Sequence, residues 1–166
     1  MANVVHPILG ALDLSSSGFW EATVAFGGRE VTFDLTIDAA GLTAADIDGL
    51  PQQPEDLESF DRVARRAILH DAQSADEDSA AMLYITHHQC ELPAPEFQTL
   101  FGTDGAGLAD IGAMLSRLVL VRVGLYPESN NRRLLLDYSI DSDATNYLLC
   151  VSFDSSRQPV AVDLES

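Results

Sequence analysis

The stretch "LYITHHQCEL", residues 83–92, places His87, His88, Cys90 and Glu91 within five positions. Histidine, cysteine and glutamate are all metal ligands, and three of them around one open position would suit a catalytic zinc. Successive residues of a helix point about 100° apart, so His87 and His88 cannot serve one ion. His87, Cys90 and Glu91 stand at i, i+3 and i+4 and share a face, which makes them the metal candidates of this segment. His88 falls instead on the stripe Ala81, Ile85, His88, Leu92 and reads as a core histidine bonded to backbone. The other histidines, His6 and His70, have no spacing relation to the set. No cofactor is expected.

Arg122 is the second residue that could do chemistry. It sits in an apolar run among Leu120, Val121 and Val123. A buried arginine demands a carboxylate, and Asp137 in the next apolar run is the candidate partner. The pair is either an internal salt bridge or the anchor of a ligand-binding cleft.

Other motifs carry less. "GTDGAGLADIG", residues 102–112, matches the first two glycines of a dinucleotide loop with Gly105 and Gly107. Its third position is Asp110, whose charge repels a pyrophosphate, and no strand precedes it. "SIDSDATN" offers Asp141, Asp143 and Asn146 but lacks the glycine and glutamate of a calcium loop, so a turn explains it. There is no G-x-S-x-G elbow. A Walker loop is excluded, because the chain has no lysine.

Composition narrows the function further. Twenty-six acids face nine bases, all arginine, for a formal charge of −17 over 166 residues. Such a field repels nucleic acid and anionic membrane surfaces and favours a basic protein partner or simple solubility. Arg62, Arg65 and Arg66 cluster, but Glu58–Arg62 and Asp61–Arg65 are i,i+4 helix pairs that account for most of them. The N-terminus lacks the basic flank of a signal peptide, and no apolar run is long enough to span a membrane. Cys90 and Cys150 read as two small buried residues of a reducing compartment, which places the chain in the cytoplasm.

The elements that must position these residues run strands, helices, strands. "FWEATVAF" and "EVTFDLTI" alternate with period 2 around a Gly-Gly hairpin turn, and Ile8–Leu14 adds a strand before them. Residues 55–71 carry a helical stripe of Leu57, Phe60, Ala64, Ala67 and Ile68. Ser74 with Glu77 reads as a capping box opening a helix to about Glu91. "PEFQTLFG" is a short helix ended by Gly102, and another lies near Leu108, Ile111 and Leu115. Four apolar runs follow: "RLVLVRVGLY", "RRLLLDYSI", "YLLCVSF" and "PVAVDL". The first and third are apolar on nearly both faces, which suits central strands. The expectation is a single α+β domain over 1–166, with N-terminal strands in 8–37, a helical middle in 55–115 and C-terminal strands in 117–164. A mostly antiparallel sheet of about seven strands would carry three to four helices on one face.

The last third, "LVRVGLYPESNNRRLLLDYSIDSDATNYLLCVSFDSSRQPVAVDLES", resembles the bacterial domain-of-unknown-function family numbered 2004. The residues that carry the resemblance are Arg122, Gly124, Leu125, Tyr126 and Pro127, then Asp137, Tyr138 and Ile140. Thr145, Tyr147, Leu148 and Leu149 follow, with Glu165 and Ser166 at the end. "HPILGAL", "FWEATV" and "YITHH" are similar to other segments of the same family. The resemblance implies one compact domain of the bacterial cytosol and brings no activity, cofactor or catalytic residue with it.

The function expected from all this is a non-enzymatic acidic protein that binds a basic protein partner, immunity-type proteins being one such class. The alternatives are a small metal-dependent enzyme using His87, Cys90 and Glu91, or a small-ligand-binding domain anchored by Arg122 and Asp137.

Overall fold

Gly27 and Gly28 take φ of 58° and 76°, the left-handed pair that a two-residue hairpin turn requires. The computed structural model describes residues 3–104 and 110–166, and this turn sets its first long hairpin. β3 (Gly18–Phe26) pairs antiparallel with β4 (Arg29–Ile37) in unbroken register from Phe26↔Arg29 to Gly18↔Ile37. Before it, β1 (Asn3–His6) and β2 (Gly10–Asp13) form a separate two-stranded sheet. His6 fixes that hairpin. Its Nε2–H donates to the Pro51 carbonyl at 3.1 Å, while Nδ1 accepts from the Ile8 and Leu9 amides.

The helices occupy the middle of the chain. α1 (Ala44–Ile47) is one turn, held by Asp46 accepting from the Thr43 amide and hydroxyl at 2.7 Å. α2 (Pro54–Gln73) starts on a proline, which suits a first turn whose amides are unpaired, and buries Leu57, Phe60, Ala64, Ile68 and Ala72. Asp61 and Arg65 pair at 2.9 Å.

Ser74 closes α2 instead of opening the next helix: its hydroxyl donates to the Asp71 carbonyl, and Ala75 turns left-handed at φ 58°. α3 (Ala80–Glu91) is capped five residues later by Ser79. The Asp71 carboxylate accepts from the Ser79 hydroxyl at 2.8 Å and the Ala81 amide at 2.9 Å. A tertiary carboxylate therefore decides where α3 begins, and Asp76, Glu77 and Asp78 lie in the loop before it. α4 (Ala94–Phe101) ends on Gly102 at φ 76°, and α5 (Ile111–Leu115) follows. Gly105, Gly107 and Leu108 lie outside the described residues.

β5 (Val119–Leu125), β6 (Leu134–Ser139), β7 (Leu148–Phe153) and β8 (Pro159–Glu165) complete a six-stranded sheet ordered β3-β4-β5-β6-β7-β8. All neighbours are antiparallel except β4 and β5, which run parallel because the whole helical middle intervenes. The architecture is α+β as expected, with two corrections. Among the described residues, eight strands form two sheets rather than about seven in one, because the N-terminal hairpin pairs with itself. Among the described residues there are five helices, the extra one being the single turn α1.

One hydrophobic cluster joins the helices and the N-terminal hairpin to one face of the large sheet. Val31, Phe33, Leu35, Val123, Leu136, Leu149, Val151 and Phe153 come from the sheet, and Leu12, Leu57, Ala64, Tyr84 and Phe101 from the layer upon it. The helices therefore pack on one face; among the described residues none packs on the other, the open face, although its central side chains Asp34, Leu135, Asp137, Cys150 and Ser152 are buried within it.

Candidate functional site

The strand registers define the open face. Across the sheet, Thr23, Thr32, Arg122, Asp137, Cys150 and Asp163 form one cross-strand row. The next row is Glu21, Asp34, Gly124, Leu135, Ser152 and Ala161. Side chains alternate between faces along a strand, so all of these project away from the core.

Arg122 reaches this face through a β-bulge. Leu120 pairs with Tyr138 and Arg122 with Asp137, which leaves Val121 as the extra residue. The bulge reverses the alternation. Leu120 and Val123 can then both join the core while Arg122 faces out. This is why "RLVLVRVGLY" reads as apolar on nearly both faces although helices cover the sheet on one side only.

Arg122 is held from three directions. Its Nε and Nη2 donate to the two oxygens of Asp34 at 2.6 and 3.0 Å, a bidentate fork. Nη1 donates to Asp137 at 2.9 Å, and Nη2 also donates to the Tyr126 hydroxyl at 2.7 Å. The carboxylates are 3% exposed and the guanidinium side chain 33%, so the arginine lies over the acids as a lid. Burial works against the charge of Arg122, but the bonds to Asp34, Asp137 and Tyr126 outweigh it and raise its pKa. Asp137, named from the sequence, is thus a partner. Asp34 was missed: it stands 88 residues away and meets Arg122 through the parallel β4–β5 pairing.

Gly124 explains the spacing Arg122-x-Gly124-x-Tyr126. A Cβ on Gly124 would stand 3.0 Å from Arg122 Nη2 and 3.0 Å from Tyr126 Cε2. The absent side chain lets the arginine and tyrosine close over the strand and meet. Beside them, the Cys150 thiol is pushed up by burial and then by the Asp137 carboxylate. Arg132 bonds Glu165 at 3.3 Å near the same end of the sheet. A cleft of about 340 Å³ adjoins the cluster, lined by Thr36, Asp38, Tyr126, Glu128, Arg132 and Leu135 among others.

Chemically, the cluster is a closed ion network. Arg122 spends its donors on two carboxylates and a phenol, so it offers an incoming anion little. With two acids to one base, the network keeps a negative surplus.

The second candidate set is dispersed. Glu91 accepts a 2.7 Å bond from the Tyr147 hydroxyl, and Cys90 is exposed rather than buried, because the last turn of α3 leaves that flank uncovered. The His87 ring lies tilted against Tyr147, 5.3 Å between centroids. No group of three or more His, Cys, Asp or Glu among the described residues stands where it could hold a metal ion. His88 is buried as its stripe implies, its Nδ1–H donating to the Tyr84 carbonyl at 2.7 Å. Burial lowers its pKa, and the backbone bond offsets this in part. Asp141 caps its own turn by accepting from the Asp143 amide at 2.9 Å.

No helix among the described residues is long and apolar enough to cross a membrane. Comparison with family models, curated proteins and solved structures finds no match.

Proposed function

We propose that this protein is a non-enzymatic acidic protein that binds a basic protein partner through the open face of its sheet. The observation that carries this reading is the charge of that face. Glu21, Glu30, Asp34, Asp137, Asp163 and Glu165 stand on it against Arg122 and Arg132. Both arginines are already engaged by carboxylates, so the surplus on the face is negative, in the same sense as the whole chain at −17. The Arg122 network gives the face a fixed centre, and the exposed acids around it supply attraction and orientation. The Arg122-x-Gly124-x-Tyr126 pattern is, on this reading, the device that builds the face. Toxin neutralisation is one role such a protein can fill.

The test is salt-dependent retention. Immobilised protein is expected to hold a basic partner from its host at about 0.1 M salt and release it toward 1 M, where the screening length falls from about 10 to about 3 Å. Glu21→Gln with Glu30→Gln is expected to weaken retention. A host extract that yields no partner, or retention indifferent to salt and to the double substitution, overturns the reading.

A further inference from the structure

The two edges of the large sheet are built differently. At β8, Pro159 removes an amide, and Val160 is an unpaired bulge residue, which accounts for its 49% exposure. Asp163 and Glu165 add charge. Proline, bulges and inward charges are the usual devices that stop an edge from recruiting another strand. At β3 there are none of these. It runs for nine residues with no proline and no bulge, and its one charged residue is Glu21.

The register shows which backbone groups are free. The two-residue turn makes Phe26 and Arg29 a hydrogen-bonded pair. Bonding to β4 then alternates, so Gly18, Trp20, Ala22, Val24 and Phe26 point their amides and carbonyls inward. Phe19, Glu21, Thr23 and Ala25 point theirs outward, and among the described residues β3 has no second neighbour in the sheet. The same four residues have exposed side chains on the open face, Phe19 at 61%. On the opposite face Trp20, Val24 and Phe26 pack against the core yet stay half-buried.

We infer that the partner's contact segment is an extended chain that adds to β3 as a further strand. This rests on the partner-binding reading and specifies it. Alternate side chains of an added strand fall on opposite faces of the sheet. Those on the open face meet Phe19, Glu21 and Thr23, with Asp34 in the row behind Glu21. Those on the core side complete the cover over Trp20, Val24 and Phe26. The fitting segment therefore alternates basic with apolar residues. A second copy of this chain is a poorer occupant, since it brings −17 against −17.

The probe is a blocked nine-residue peptide alternating lysine and valine, with a second peptide of the same sequence N-methylated at alternate residues. The methylated peptide keeps the charge but cannot complete a ladder. Residue-resolved amide exchange is read on the whole chain, alone and with each peptide. The plain peptide is expected to slow exchange at Phe19, Glu21, Thr23 and Ala25 by about tenfold or more, and the methylated one is not. Thr23→Pro removes an outward amide that β4 does not use, so the variant is expected to fold and to lose the protection. Folding is checked by circular dichroism; should the proline disturb β3, Thr23→Arg is the second variant, since its cation repels the lysines of the peptide and is expected to weaken the protection. If the peptides bind equally well, or protect another surface, the strand inference fails while the basic-partner reading stands. If neither binds at low salt, both fail. If the chain alone is a dimer with these amides already protected, the occupant is a second copy and the inference is overturned.

Discussion

Removing Arg122 should expose how much the open-face network contributes. Arg122→Met keeps most of the side-chain volume but leaves Asp34 and Asp137 facing each other without a cation. Both carboxylates are 3% exposed. Breaking a buried ion pair by removing one partner costs roughly 3–5 kcal/mol. Two acids lose their partner here, which pushes the cost up, but Arg122 itself is one-third exposed and water can follow it in, which pulls the cost down. About 3–5 kcal/mol at pH 7 is therefore the expectation. In a domain of this size, that is a fall in Tm of roughly 6–20 °C.

Urea denaturation at pH 7 reads the gap between wild type and variant directly, provided the slope of each transition stays constant. Adding Asp34→Asn and Asp137→Asn to the variant should recover much of the loss at pH 7, because the charges that made it costly are gone. A gap below about 1 kcal/mol at pH 7, or one that the two asparagine substitutions do not narrow, would refute the account of Arg122 as the counterion of two buried carboxylates.

Three further outcomes are expected. Gly124→Ala puts a methyl 3.0 Å from both Arg122 and Tyr126, and should cost about 1–3 kcal/mol, read as a lower urea midpoint; an unchanged midpoint means the two side chains open freely. His88 is held below the ordinary imidazole range by burial, so the folded state binds fewer protons than the unfolded chain. Its contribution is whole above about pH 6.5 and drains as pH falls through that value toward the lower folded one. Relative to His88→Phe, which cannot titrate there, the wild type should lose stability between pH 7 and pH 5, and a constant difference contradicts this. Finally, a thiol reagent should label exposed Cys90 in the native protein and reach Cys150 only after denaturation, and rapid labelling of both would contradict the burial of β7.

The sequence by itself determined what rests on local physics. Gly27-Gly28 specified the β3–β4 hairpin, because few other residues accept two successive left-handed conformations. The apolar stripe of α2 and the period-2 runs marked which residues enter the core, and the stripe Ala81, Ile85, His88 did the same for α3. The demand of a buried arginine pointed correctly from Arg122 to Asp137. Where long-range partners decide, the local pattern misled. Ser74 and Glu77 have the spacing of a helix start, yet Asp71 supplies the tertiary cap at Ser79 and Ala81, so α3 starts later. The second acid of the network, Asp34, gave no local signal, because the parallel pairing of β4 with β5 brings it in across 88 residues. The bulge at Val121, which turns Arg122 out of the core, appears in the sequence only as an apolar run with no clean alternation. The open face itself was decided by tertiary structure alone. Periodicity says which side of a strand is apolar, but which side the helices cover depends on how the whole chain is wound.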